Sequence, residues 1–235
     1  MSLDGVMESP EKWQFPYFND EMGEAIGAAM AATHAMLLGR LTYQEFASYW
    51  PIVSAEDQPF ADHMNNTPKY VVSTTLQKAE WNNSTLIKGN VAEEIARLKQ
   101  QPGTNIGITG SATLVQSLLQ DNLLDELGLM IHPVVVGAGR RLFKEGGDPK
   151  GLTLVDSKTV STGVVSHLPA SREGSGSIMT YALSIVQALH ATSLPVHWRN
   201  EAAGETKVLR LISSTTFGSG AVVLSYQPAG KEVKE

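Results

Sequence analysis

The 235 residues, 42% hydrophobic and 18% charged, have the composition of a globular chain with an ample core, enough for one or two domains. The formal net charge of −6 argues against a nucleic-acid binder, because such domains usually carry a basic face. The absence of cysteine excludes disulfides, thiolate metal sites and a cysteine nucleophile.

Met22, Ile26, Ala29, Met30 and Thr33 recur at helical spacing and predict a helix over 20–34, capped by Asp20 or Asn19. A short buried strand over 35–38 follows and ends at Gly39-Arg40. A second helix spans 42–49 and stops before Pro51. Residues 54–68 read as a polar loop with some helix, and 69–73 and 84–87 as strands. Asn90-Val91-Ala92-Glu93 has capping-box spacing, with Asn90 as cap, ahead of an apolar stripe of Val91, Ile95 and Leu98 that Pro102-Gly103 ends. A strand over 105–109, a helix over 111–120 and a long apolar strand over 127–136 complete the series. Such alternation predicts an α/β fold with a mostly parallel sheet.

The remainder contains an echo. LTLVDSKTVSTGVV at 152–165 matches LRLISSTTFGSGAV at 209–222, with Leu152, Leu154, Ser157, Thr159, Gly163 and Val165 repeated at Leu209, Leu211, Ser214, Thr216, Gly220 and Val222. Each copy reads as strand, turn, strand. A duplicated hairpin tail is the preferred account, and a chance likeness between two hairpins stays open. The expected organisation is a main domain over 1–170, then a linker and tail over 171–235 packed on the same domain or swapped in a dimer. Residues 172–177 have linker composition.

Three strand ends invite anion chemistry. In Gly107-Ile108-Thr109-Gly110-Ser111-Ala112-Thr113 a strand meets a glycine turn and a helix start, where unpaired N–H groups attract phosphate. A plain glycine turn with Ser111 as helix cap is the competing account. Leu38-Gly39-Arg40-Leu41-Thr42 repeats the pattern with a cation, which is either a phosphate fork or a solvated arginine. Ser73-Thr74-Thr75 is the third turn. In one parallel sheet these ends would share an edge, where α/β proteins place ligands.

The SLDG at 2–5, the "GR-x-T" element at 39–42, Tyr49-Trp50-Pro51, Gly110-Ser111-Ala112-Thr113-Leu114 and the run from His132 to Phe143 resemble the dihydrofolate reductase-like family, specifically RibD C-terminal domains of an uncharacterised bacterial branch. The likeness extends from Ser2 to about Pro169. It implies a mixed, mostly parallel sheet flanked by helices, and bound NADPH. Leu38, Gly39, Arg40 and Thr42 would lie by the cofactor phosphates, Ser73, Thr74 and Thr75 by the adenosine end, and Thr109, Gly110, Ser111, Ala112, Thr113 and Leu114 by the pyrophosphate. A substrate cleft is implied near Asp4, Trp13, Phe18, Tyr49 and Trp50. Members usually carry a strand before SLDG, inside the sheet; with SLDG at 2–5, a gap in the sheet is expected here. The extension is expected to fill that gap, within the chain or across a dimer.

No membrane span of about 18 apolar residues and no signal-peptide pattern is visible, so a cytoplasmic location is expected. The six histidines form no metalloprotease pair, no serine elbow is convincing, and no metal is expected. Gly137-Ala138-Gly139-Arg140-Arg141 reads as a bend with two solvated arginines in preference to an anion nest. Asp4 is the nearest acid for proton delivery, yet its Asp-Gly setting favours a turn role, and no catalytic residue is assigned. The expected function is an NADPH-dependent reductase of a pteridine- or pyrimidine-like heterocycle, acting as a homodimer. The alternative is a non-catalytic binding or structural protein of the same fold.

Overall fold

A computed structural model describes residues 1–56, 58, 60–101, 105–109, 111–143, 145–146, 149–167, 178–182, 207–217 and 221–228. The linker 172–177, Gly110, and the helix-ending Pro102-Gly103 lie outside the described residues.

The described α-helices are α1 (Asp20–Ala31), α2 (Arg40–Tyr49), α3 (Ala61–Asn66), α4 (Val91–Lys99) and α5 (Ala112–Gln120). Strands β1 (Ala35–Gly39), β2 (Lys69–Val72), β3 (Ser84–Ile87), β4 (Ile106–Thr109), β5 (Glu126–Ile131), β7 (Lys158–Thr159), β8 (Val165–His167) and β9 (Ile178–Ala182) form one sheet, in the order β3-β2-β1-β4-β9-β5-β8-β7. Neighbours from β3 to β5 are parallel, while β8 runs antiparallel to both β5 and β7. A smaller sheet joins β6 (Val134–Val135) to the hairpin of β10 (Lys207–Thr216) and β11 (Val222–Pro228).

All of β1 is buried, as a strand covered on both faces must be. Its alternate side chains divide the core. Met36 and Leu38 join α1 and α2 on one face, with Ile26, Tyr43 and Phe46. Ala35 and Leu37 join α4 and α5 on the other, with Ile95, Leu98, Val115 and Leu118.

Three local departures have clear causes. The first helix ends at Ala31, short of residue 34, because the N–H of His34 turns to the Asn105 carbonyl at 2.9 Å and so enters the sheet. Asn19 caps that helix, accepting from Met22 N–H at 3.0 Å. The capping box at Asn90 does not form: Asn90 sits at φ 48° with no side-chain cap, and its amide instead donates to Glu93 Oε2 at 3.2 Å. The long strand over 127–136 is broken at His132-Pro133, since proline supplies no N–H to a ladder. Val134–Val135 then pairs with β10 in the smaller sheet.

The two copies of the echo pair in the same register. Thr159 lies opposite Val165, and Lys158 opposite Ser166. Their counterparts Thr216 and Thr215 lie opposite Val222 and Val223. The copies dock differently: β8 pairs with β5, whereas β10 pairs with β6. Between them in sequence, β9 enters the interior of the main sheet and pairs in parallel with β4 and β5. The extension therefore supplies an interior strand, and β1 has a neighbour on each side.

Candidate functional site

From β1 the chain proceeds outward to β2 and β3, yet β4 lies on the opposite side of β1. The carboxyl ends of β1 and β4 thus flank a topological switch point, the crevice where open α/β sheets hold ligands. Each strand passes directly into a helix there, β1 into α2 and β4 towards α5. Neither helix has a side-chain cap: Gly39 and Ser111 hold the cap positions, and Ser111 is left-handed at φ 61°. A serine hydroxyl capping α5, one account of this turn, is not observed. The two turns nearly touch. A Cβ on Gly39 would meet Ser111 Oγ and stand 3.0 Å from Ser111 Cβ, so any side chain here displaces Ser111.

A cavity of about 430 Å³ opens at this junction. Gly39, Arg40, Thr42, Thr109, Ser111, Ala112, Thr113 and Leu114 all line it, together with Val72 at the end of β2. Leu38 instead packs in the core, 1% exposed. Ser73, Thr74 and Thr75 lie one strand end further along and close on themselves, with Ser73 Oγ accepting from Thr75 N–H at 3.2 Å and Leu76 N–H at 3.0 Å. Arg40 is exposed and donates to Gln44 Oε1 at 2.8 Å.

The other wall comes from the first residues of the chain. Met7, Glu8 and Ser9 also line the cavity, as does Arg140. Val6 bridges to Arg141, and Met7 N–H donates to the Arg140 carbonyl at 2.9 Å. The bend over 136–141 does bind anions, but they are the chain's own carboxylates. Asp4 accepts from the N–H groups of Val136 at 3.1 Å and Gly137 at 2.9 Å, and Glu8 from that of Arg140 at 2.9 Å. Arg140 and Arg141 pair with Glu8 and Asp4 respectively and, as expected of arginines on this bend, both stay exposed to solvent.

The chain matches the RibD C-terminal domain model over residues 1–166. It belongs to the RibD C-terminal domain family. A Bacillus subtilis (strain 168) protein, the uncharacterized YyaP, is 33% identical over 132 residues, which span 55% of this chain and 70% of that protein. Another from the same organism, the uncharacterized YwjB, is 27% identical over 170 residues, covering 71% and 92%. A solved Shewanella sp. PV-4 structure, called a "putative riboflavin biosynthesis protein", superposes with a TM-score of 0.57 at 22% identity, covering 71% of this chain and 92% of its own, and this likeness speaks to fold.

In this RibD C-terminal domain, the residues expected around a substrate do not gather at the cavity. Trp13, Tyr49 and Trp50 are buried in the α1–α2 core, with Tyr49 and Trp50 edge-to-face at 5.2 Å. Phe18 is 37% exposed and lies beside Gly23. Partial burial pushes the Asp4 pKa up, but hydrogen bonds from Ser2, Val136 and Gly137 outweigh it and hold the carboxyl below its ordinary value. Asp4 thus anchors the first turn to the bend.

Sequence reading missed Glu8 and Glu45 as cavity residues and did not place Arg140 there. Glu45 had a signal, since it follows Leu41 and Thr42 at i+4 and i+3 and must share their face. Burial of its carboxyl, then the charge of Glu11, push its pKa up against the pull of Arg140, although much of the residue is exposed. Arg140 had one in the Gly137–Arg141 run, set aside there as a bend with solvated arginines, and Glu8 had none, because only the fold brings it to that bend.

Proposed function

We propose that this RibD C-terminal domain is a reductase that binds NADPH and transfers hydride to a small conjugated heterocycle of pteridine or pyrimidine type. The observation that carries the reading is the convergence of Gly39, Arg40, Thr42 and Thr109–Leu114 on one cavity at the switch point, Gly110 lying outside the described residues. Its volume falls within the range of small-molecule sites. NADPH, when bound, supplies the hydride, and the protein's part is to align donor and acceptor. The uncapped starts of α2 and α5 would meet the dinucleotide's phosphates with backbone N–H groups and helix-end charge. Arg40 would add a guanidinium, and the hydroxyls of Thr42, Ser111 and Thr113 further donors. Gly39 would keep the two turns close enough to share one pyrophosphate.

A thermal-shift titration tests this. NADPH at a hundred times its dissociation constant adds about 2.7 kcal/mol of stability, which a melting curve resolves. The absence of a shift with NADPH and with NADH would favour a second reading, a non-catalytic binding protein of the same fold. The burial of Trp13, Tyr49 and Trp50 supports that second reading, because aromatic rings packed in the core do not line a cleft.

A further inference from the structure

The corner formed by Arg140 already holds an anion. Glu8 Oε2 accepts from the Arg140 backbone N–H at 2.9 Å, and Glu8 Oε1 accepts from Arg140 Nε at 3.2 Å. A main-chain N–H and a guanidinium N–H converging on a two-oxygen acceptor form the donor set that recognises a phosphoryl group. Both residues line the cavity bordered by Gly39 and Ser111.

The corner itself is fixed. Met7 N–H donates to the Arg140 carbonyl at 2.9 Å. Gly139, at φ 125°, sits so close to Val6 that a Cβ there would stand 2.8 Å from Val6 Cγ1. The pair across the corner is looser, with side chains 39% exposed for Glu8 and 67% for Arg140. An ion pair this open to water is weak. A phosphoryl group carries more charge than a carboxylate and as many acceptor oxygens or more, so it competes well for the same donors.

We propose that the Arg140 corner is a phosphoryl-binding position at the mouth of the cavity, and that Glu8 occupies it in the free protein as a displaceable internal carboxylate. Removing the Glu8 charge frees both donors and also removes a repulsion from the incoming anion. The proposal rests on the reductase reading only for the source of the phosphoryl group.

The test is isothermal titration of the full chain with inorganic pyrophosphate, using wild type, Glu8→Gln, Glu8→Ala, Arg140→Gln and the Glu8→Gln/Arg140→Gln double variant. Both Glu8 variants are expected to bind pyrophosphate about three- to tenfold more tightly than wild type. The double variant is expected to lose that gain. Unchanged or weaker binding by both Glu8 variants would overturn the proposal. So would a gain that survives in the double variant, since it would not depend on the Arg140 guanidinium. A parallel titration with NADPH separates the two ideas. Tighter pyrophosphate binding with no NADPH binding in any form sustains the anion position and removes the reductase reading. Equal pyrophosphate affinity in wild type and the Glu8 variants, with NADPH bound by all, does the reverse.

Discussion

His132 is buried between the edges of Trp13 and Tyr17, at ring-centroid distances of 5.5 and 5.9 Å. Burial pulls its pKa from the usual value near 6.5 down to about 3. The unfolded chain therefore binds a proton that the folded chain refuses between those values. Stability is complete above about pH 6.5 and falls as the pH drops toward 3, by roughly 1.4 kcal/mol per unit from this group. His132→Leu is expected to flatten the acid limb of a plot of melting temperature against pH, and an unchanged limb would assign the acid sensitivity elsewhere. Lys69 is the second buried base. Its ammonium donates to the carbonyls of Asn65, Thr67 and Asn82 at 3.0, 2.8 and 3.1 Å and lies 4.1 Å from the centre of the Trp81 ring. Lys69→Met strands those acceptors, and denaturant unfolding should show a loss of about 2–4 kcal/mol. Neither role is legible in the sequence. Lys69 reads there as the polar first residue of a strand, and His132 as one residue of an apolar run, because burial depends on what the distant chain places over them.

At the scale of elements, β1, β2, β3, α2 and α5 are legible because each has a period of its own and a stop signal nearby. The boundaries that moved did so under tertiary pull, as where the Asn105 carbonyl draws His34 into the sheet. The strand at Ile178–Ala182 follows the glycine- and serine-rich 172–177, but nothing in its five residues says which strands it joins. Its place is set by the slot between β4 and β5, which only the assembled sheet defines. Its ladder predicts a sharp contrast. A chain ending at residue 167 leaves β4 and β5 as unpaired interior edges and is expected to aggregate. A chain lacking 207–228 loses a hairpin joined to the rest through β6 and keeps the main sheet. Thermal unfolding followed by circular dichroism should show a cooperative transition for the second truncation and none for the first. Similar transitions for both would contradict the interior position of β9.

For the whole molecule, the strand order determines where chemistry can occur. Reversing direction between β1 and β4 brings two glycine-bearing turns, far apart in sequence, to one rim. The turns themselves are readable from sequence because each joins a strand pattern to a helix pattern. The wall facing them is not, since Glu8 and Arg140 meet only when the first residues fold across the bend at 136–141. The near-contact of Gly39 with Ser111 makes the central claim directly testable, because a side chain at residue 39 pushes on Ser111 where the two turns meet. Isothermal titration of NADPH into wild type and Gly39→Val, with folding of both verified by melting curves, is that test. The account predicts one dinucleotide per wild-type chain and at least about tenfold weaker binding by the variant, a difference of roughly 1.4 kcal/mol or more. Equal affinity in the two proteins, or no binding to wild type, would contradict it.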